Sequence, residues 1–298
     1  MNRYTRTDLA AELDLGDRSD VGETTERFGK VKASTIEIRT EGAAKRLGKP
    51  RGKYITIDVG KIWLASDHDF EKAVDVTADK LKQLSCELCG HLPERVLIAG
   101  LGNRNITADA LGDKTVGLLT VTRHIKLYSK ELFEMFGGCE ISAVAPGVLG
   151  QTGIETAELI LGAARSVEPE LVVAIDSLCA RSTDRLATTI QLGSSGISPG
   201  SGIGNRRRSL DANTLGVPVL ALGIPTVVDS STLVIDALER AGIEDISPEL
   251  ERVLNNQRSF YVTPKEPDTI ISELSRLCAK ALGLAFAKNR GQTASSLT

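Results

Sequence analysis

Two stretches of the chain place acidic residues just beyond runs of apolar residues. "GLGNRNITADALG" carries Asn103, Thr107 and Asp109, and "AIDSLCARSTDR" carries Asp176 and Arg181. If both runs are buried strands, Asp109 and Asp176 could converge on one crevice. Two carboxylates held close together cannot both ionise cheaply, so their pKa values split, and one stays protonated as an acid while the other serves as a base toward water. The same residues have plainer uses. Asp109 could cap a helix beginning at "DALG", and Asp176 could pair with Arg181. "PGVLGQTGIET" is equally open, because Thr152 and its glycines could wall a site or form a strand-to-helix turn that Glu155 completes.

Other chemistries find less support. "CELCGH" brings Cys86, Cys89 and His91 close in sequence, but no second cysteine pair or histidine cluster completes a zinc set, and the two cysteines lie on an expected helix as core thiols. His68, His91 and His124 are the only histidines, and no G-x-S-x-G elbow stands beside a strand, which disfavours serine hydrolysis. "GSGIGN" has dinucleotide-type glycine spacing, yet it sits in a long loop rather than between a first strand and its helix, and the P-loop lysine is missing. That loop ends on Arg206, Arg207 and Arg208. Backbone so permissive could let an extended peptide approach closely, with the arginines attracting acidic residues.

The elements that must position these residues read as an α/β pattern. "RVLIAGLGN", "TVGLLTVT", "EISAVAPG", "LVVAIDS" and "VPVLALGIPTVVD" are short apolar runs, several separated by helix-like stretches such as "GIETAELILGAARSV". Continuous apolar strands alternating with helices predict a mostly parallel sheet with helices on both faces, and sites in such sheets lie outside the carboxyl ends of the strands. Residues 1 to about 50 read as a small amino-terminal arm with little core of its own, in which "ASTIEIRT" could be a strand. Residues 51–290 form the α/β domain, closed by an amphipathic helix within 266–290, and 291–298 are a loose tail. A chain of 298 residues, 41% apolar and 25% charged, can bury a sizeable core. A net charge of -3 argues against a protein that coats nucleic acid or an anionic membrane, and no apolar run approaches a membrane span. Five scattered cysteines and a polar start suggest a reducing, intracellular setting.

Taken together, "YTRTDLAAE", "GLGNRNITADALG", "TRH", "APGVLGQTGIET", "VVAIDSLCARS", "TIQLGSSGISPGSGIGNRR", "GVPVLALGIPTVVD" and "VTPKE" resemble the germination protease family, in family order and over most of residues 4 to 285. The resemblance implies a sequence-specific endopeptidase that degrades small acid-soluble spore proteins. It implies a fold similar to the hydrogenase maturation proteases, a zymogen that processes itself, and a homotetramer in the spore cytoplasm, with no cofactor, metal, nucleic acid or membrane partner. The two aspartates the family uses fall on Asp109 and Asp176. Asn103, Thr107, Thr152, Glu155, Arg206 and Arg207 are secondary candidates for orienting carboxylates or substrate. Thr7-Asp8-Leu9-Ala10-Ala11-Glu12 resembles the Thr-Glu-(Phe or Ile)-Ala-x-Glu sites the family cuts, which places the scissile bond between Asp8 and Leu9 and makes residues 1–8 a propeptide. Two departures stand out: a long insertion of some members is replaced between residues 242 and 260 by a short stretch, and Cys179 stands where a small residue is more usual. A metal-dependent peptidase on the same fold, or a binding protein using the "GNRRR" loop, are the alternatives.

Overall fold

The computed structural model describes residues 6–16, 19–136, 138–198, 208–243, 247–254 and 260–287, with the side chains of residues 248 and 251 left aside. Nine strands are present among them: β1 (Val21–Phe28), β2 (Val31–Ile38), β3 (Gly52–Asp58), β4 (Arg95–Gly100), β5 (Glu140–Val144), β6 (Leu171–Ala180), β7 (Thr189–Gly193), β8 (Val219–Asp229) and β9 (Tyr261–Val262). They form one sheet in the order β1-β2-β3-β7-β8-β6-β4-β5, with β9 on the far end of β8. The helices are α1 (Glu41–Leu47), α2 (Asp67–Cys89), α3 (Leu111–Leu118), α4 (Arg123–Tyr128), α5 (Lys130–Met135), α6 (Leu149–Thr152), α7 (Thr156–Val167), α8 (Ala212–Leu215), α9 (Ser230–Arg240), α10 (Pro248–Leu254) and α11 (Pro267–Phe286).

The α/β architecture with helices around a central sheet agrees with the sequence reading, but the sheet is mixed rather than mostly parallel. β5, β4, β6 and β8 run parallel, whereas β1, β2, β3, β7 and β9 join by antiparallel pairings. Two of the five antiparallel strands, β1 and β2, come from the stretch read as an arm. Its strands continue the central sheet, and Val21, Ile36, Ile38, Ala43, Leu47 and Tyr54 pack into a cluster with Ala10. "TVGLLTVT" is not a strand. Thr115 lies inside α3, its hydroxyl donating to the Leu111 carbonyl at 2.7 Å, because Leu111 and Thr115 bury the helix on the sheet and packing overrides the β-branched preference.

Local chemistry sets the helix limits. Ser66 caps α2 by accepting the Asp69 N–H at 3.2 Å, and Gly90 closes it in the left-handed region. Cys86 and Cys89 lie on that helix, half-buried. Pro267 starts α11, whose apolar face is buried from Ile270 to Phe286. One face of the sheet, carrying Ile55, Ile57, Ile190, Leu192, Leu222 and Ile175, packs with α2, α3 and α11 in the main core. The opposite face carries Leu97, Ala99, Val172 and Ala174 under α7 and α8. Farther along β6 and β8 this second face opens into a crevice.

Candidate active site

β4 ends at Gly100 opposite Ile175, while β6 continues to Ala180. From Asp176 onward, one edge of β6 has therefore lost its neighbour at the carboxyl ends of the parallel strands, where open α/β sheets form sites. The chain leaving β4 folds back into this space. Asp109 closes a turn by donating its N–H to the Ile106 carbonyl at 2.8 Å, and the Thr226 hydroxyl on β8 anchors the turn through the Ala108 carbonyl at 2.6 Å. The Asp109 carboxylate accepts the Asn103 N–H at 2.8 Å. Gly102 makes that approach possible. It has φ +101°, and an added Cβ would lie 2.0 Å from the Asp109 carbonyl oxygen.

Asp176 is 6% exposed in β6. Burial, then the charge of Asp109, then that of Asp8, push its carboxyl well above the ordinary carboxylate range, against a smaller opposing effect from the Ser177 N–H, which donates to it at 2.9 Å. Asp109 and Asp176 line one crevice of about 910 Å³ together with Asp8, Lys49, Tyr54 and Gln191. Three strands build its floor in register. Asp176 on β6 stands opposite Gly223 on β8, and Gly223 stands opposite Gln191 on β7, so the two side chains rise from the same face on either side of a residue that has none.

The amino-terminal segment enters this crevice along the edge that β4 leaves free. Asp8 N–H donates to the Cys179 carbonyl at 2.8 Å, and Cys179 N–H donates to the Asp8 carboxylate at 2.9 Å. A shift in strand pairing between Leu178 and Cys179 marks the place. Leu9 is fully buried against Leu178, Ala180 and Val228. The Glu12 carboxylate accepts N–H groups of Arg181 at 2.7 Å and Ser182 at 3.0 Å and the Thr7 hydroxyl, with the Arg185 guanidinium 3.9 Å away. Upstream, Arg6 donates its N–H to the Thr232 hydroxyl at 3.1 Å and pairs with Asp229 at 3.9 Å. Lys49 also faces this segment. Removal from water lowers its ammonium pKa, and Asp8 acts in the opposite direction.

Residues 5–241 match the profile of the family described as Germination protease. The chain belongs to the germination protease family. It is 39% identical to the germination protease of Clostridium acetobutylicum over 314 residues, covering 94% of each chain. It is 38% identical to that of Clostridium perfringens over 283 residues, 87% of this chain and 85% of the relative. With the Bacillus subtilis germination protease the match is 40% over 251 residues, 80% of this chain and 67% of the relative. A solved NiFe hydrogenase maturation protease from Thermococcus kodakarensis aligns over 68% of this chain and 98% of its own, at 14% identity and a TM-score of 0.35, a likeness too slight to bear on the chemistry.

In this germination protease family member the residues singled out from sequence fall into three groups. Asp8, Asp109 and Asp176 line the crevice, and Leu9 is seated beside it. Asn103 holds Asp109 through its backbone, and its side-chain oxygen accepts the Gln151 amide at 2.8 Å. Thr107 turns away to donate to Asp268 at 2.9 Å. Thr152 and Glu155 do not line the crevice among the described residues. Thr152 bonds to the backbone of Ile154 at α6's end, and Glu155 precedes α7. Arg206 and Arg207 lie outside the described residues.

The plainer roles do not hold: α3 begins after Ala110 without a side-chain cap, and Arg181 pairs with Glu239. Among the described residues, no group of three or more His, Cys, Asp and Glu residues is placed to hold a metal ion. No described helix is long and apolar enough to cross a membrane. Sequence reasoning missed Lys49, Gln191 and the cradle around Glu12. The one available signal was Gln191 itself, a long amide inside the apolar strand run "TTIQLG".

Proposed function

We propose that this peptidase is a sequence-specific endopeptidase that degrades small acid-soluble spore proteins during germination, made as a zymogen that processes itself after Asp8. The observation that carries the reading is the placement of Asp8 in the crevice that Asp109 and Asp176 share, with the chain on both sides of it held by the crevice walls. A segment bound in this way fits both a substrate and an inhibitor. Its covalent link gives it a high effective concentration over any competing polypeptide.

In this reading Asp176, kept protonated by burial and its acidic neighbours, is the acid, and Asp109 is the base. Asp109 takes a proton from water as the water oxygen bonds to the Asp8 carbonyl carbon. Asp176 gives its proton to the carbonyl oxygen. When the intermediate collapses, the C–N bond breaks, the Leu9 nitrogen takes up the proton held by Asp109, and the hydroxyl proton returns to Asp176, which leaves both carboxyls as they began. No cofactor is needed. The enzyme works in the spore cytoplasm as a homotetramer. Exposed apolar residues on α4 and α5, among them Leu127, Tyr128 and Met135, support a subunit contact.

The experiment is intact-mass measurement of the full chain during incubation, with and without EDTA, for wild type, Asp109→Asn and Asp176→Asn. Wild type should lose eight residues with or without chelator, and neither variant should. Loss of the same residues by a folded Asp109→Asn chain would sink the aspartate mechanism. EDTA-sensitive processing restored by added zinc or nickel would replace it with a metal-dependent one.

A further inference from the structure

Gln191 is a buried side chain of a central strand, yet both ends of its amide are used by the amino-terminal segment. Nε2 donates to the Asp8 carbonyl oxygen at 2.8 Å, and Oε1 accepts the Ala10 N–H at 2.6 Å. The amide thus spans Leu9, touching the carbonyl of the Asp8–Leu9 peptide and the N–H of Ala10 one residue beyond that bond. Across the floor, Asp176 and Gln191 each stand opposite Gly223. Two strand spacings put their backbones about 9–10 Å apart. That gap admits a peptide between an acid on one wall and an amide donor on the other. Gly223 keeps it open, and an added Cβ would lie 2.5 Å from the Leu178 side chain.

We propose that Gln191 is a catalytic residue: its Nε2–H binds and polarises the carbonyl oxygen of the peptide being cut, while its Oε1 fixes the N–H two residues on and so sets which bond faces the carboxyls. The inference rests on the reading that the bond after Asp8 is the one cut. As water adds to the carbonyl carbon, negative charge builds on the oxygen ahead of the proton it receives from Asp176, and in that transition state its bond from Nε2–H strengthens, whereas the Oε1 bond to Ala10 stays as it was. That difference between ground state and transition state is what lowers a barrier. The amide keeps its own protons throughout, so the proton count stays with water, the two carboxyls and the leaving amine. A purely structural clamp would hold the segment equally well before and during the reaction and would leave turnover alone.

The test uses full-length Gln191→Met, which keeps the side chain's bulk, and Gln191→Glu, which keeps an acceptor for Ala10 but loses the donor. Thermal unfolding verifies folding. Processing is followed by intact mass, and cleavage of a peptide spanning residues 3–14 is followed in trans by processed enzyme. Both variants should process at least about a hundredfold more slowly than wild type, in line with the loss of one oxyanion donor, with kcat falling far more than KM rises. If wild type cuts after Asp8 while either folded variant keeps kcat within about threefold, or if only KM rises, Gln191 is a clamp and the inference is overturned. If wild type cuts a different bond, the underlying reading fails first, and the mass alone reveals it.

Discussion

Asp8 and Cys179 exchange two hydrogen bonds: Asp8 donates its N–H to the Cys179 carbonyl at 2.8 Å, and the Cys179 N–H returns one to the Asp8 carboxylate at 2.9 Å. The contact runs through the Cys179 backbone, while the Cys179 thiol donates to the Ala180 carbonyl at 3.6 Å. Burial first and Asp8 second push that thiol up to about 12. A thiol so rarely ionised is a poor nucleophile. Cys179→Ala should therefore process and cleave within about threefold of wild type, and iodoacetamide near neutral pH should leave Cys179 unmodified in the full chain by peptide mass mapping.

Asp176 links the site to stability. Its folded pKa lies well above the ordinary 3.8, so the folded state holds a proton that the unfolded state gives up. Its contribution to stability is complete below the ordinary value and is lost as pH rises toward the folded pKa. Asp176→Asn removes that loss. Unfolding midpoints measured from about pH 3 to pH 8 should show the variant gaining on wild type as pH rises, by about 1.4 kcal/mol for each unit of pKa displacement. A constant difference across the range would show that Asp176 is ionised when folded.

Lys49 faces Asp8 in the crevice. An ammonium drawn out of water gains most from an acidic partner, so the residue before the cut bond should be read by charge. Lys49→Met should raise KM about tenfold for a peptide with Asp or Glu at that place and should leave KM unchanged for one with Gln. Equal effects on both peptides would remove Lys49 from specificity.

The Glu12 carboxylate fills a cradle made by the Arg181 and Ser182 N–H groups. Truncating it to alanine strips two part-buried donors of their acceptor, at a cost of about 1 kcal/mol. In an Asp109→Asn background, where the chain stays intact, Glu12→Ala should speed hydrogen exchange at the Ala10 amide by about tenfold or more. Unchanged exchange would show that Asp8 and Leu9 hold the segment without it.

The parallel half of the sheet was legible because a strand buried on both faces needs an unbroken apolar run, as in Leu171 to Ile175. The antiparallel half was not. β1 is buried at Val21 and mostly exposed from Glu23 to Arg27, so its composition reads as an arm. "TVGLLTVT" misled for the opposite reason: its first β-branched residues, Thr115 and Val116, lie in a helix packed on the sheet, and the rest follow that helix without forming a strand. Within the site, Asp109, in the turn after β4, and Asp176, inside β6 rather than beyond it, stood out in the sequence as carboxylates closing apolar runs. Lys49 and Gln191 did not, since what places them beside Asp8 is the pairing of strands far apart in sequence, with β3 against β7 and β7 against β8. No local pattern encodes such a meeting.

Leu9, wholly enclosed by Leu178, Ala180 and Val228, would become the first residue of the chain once the bond before it is cut. Severing that bond does not empty the crevice, because the new terminus remains docked by a buried leucine worth about 1.5–3 kcal/mol and by the Glu12 cradle beyond it. Covalent cleavage and the onset of activity are then two events separated by a waiting time. The length of that delay is set by how fast a short tethered peptide lets go, a dissociation rate that substitutions at Leu9 can lengthen or shorten without touching either carboxyl.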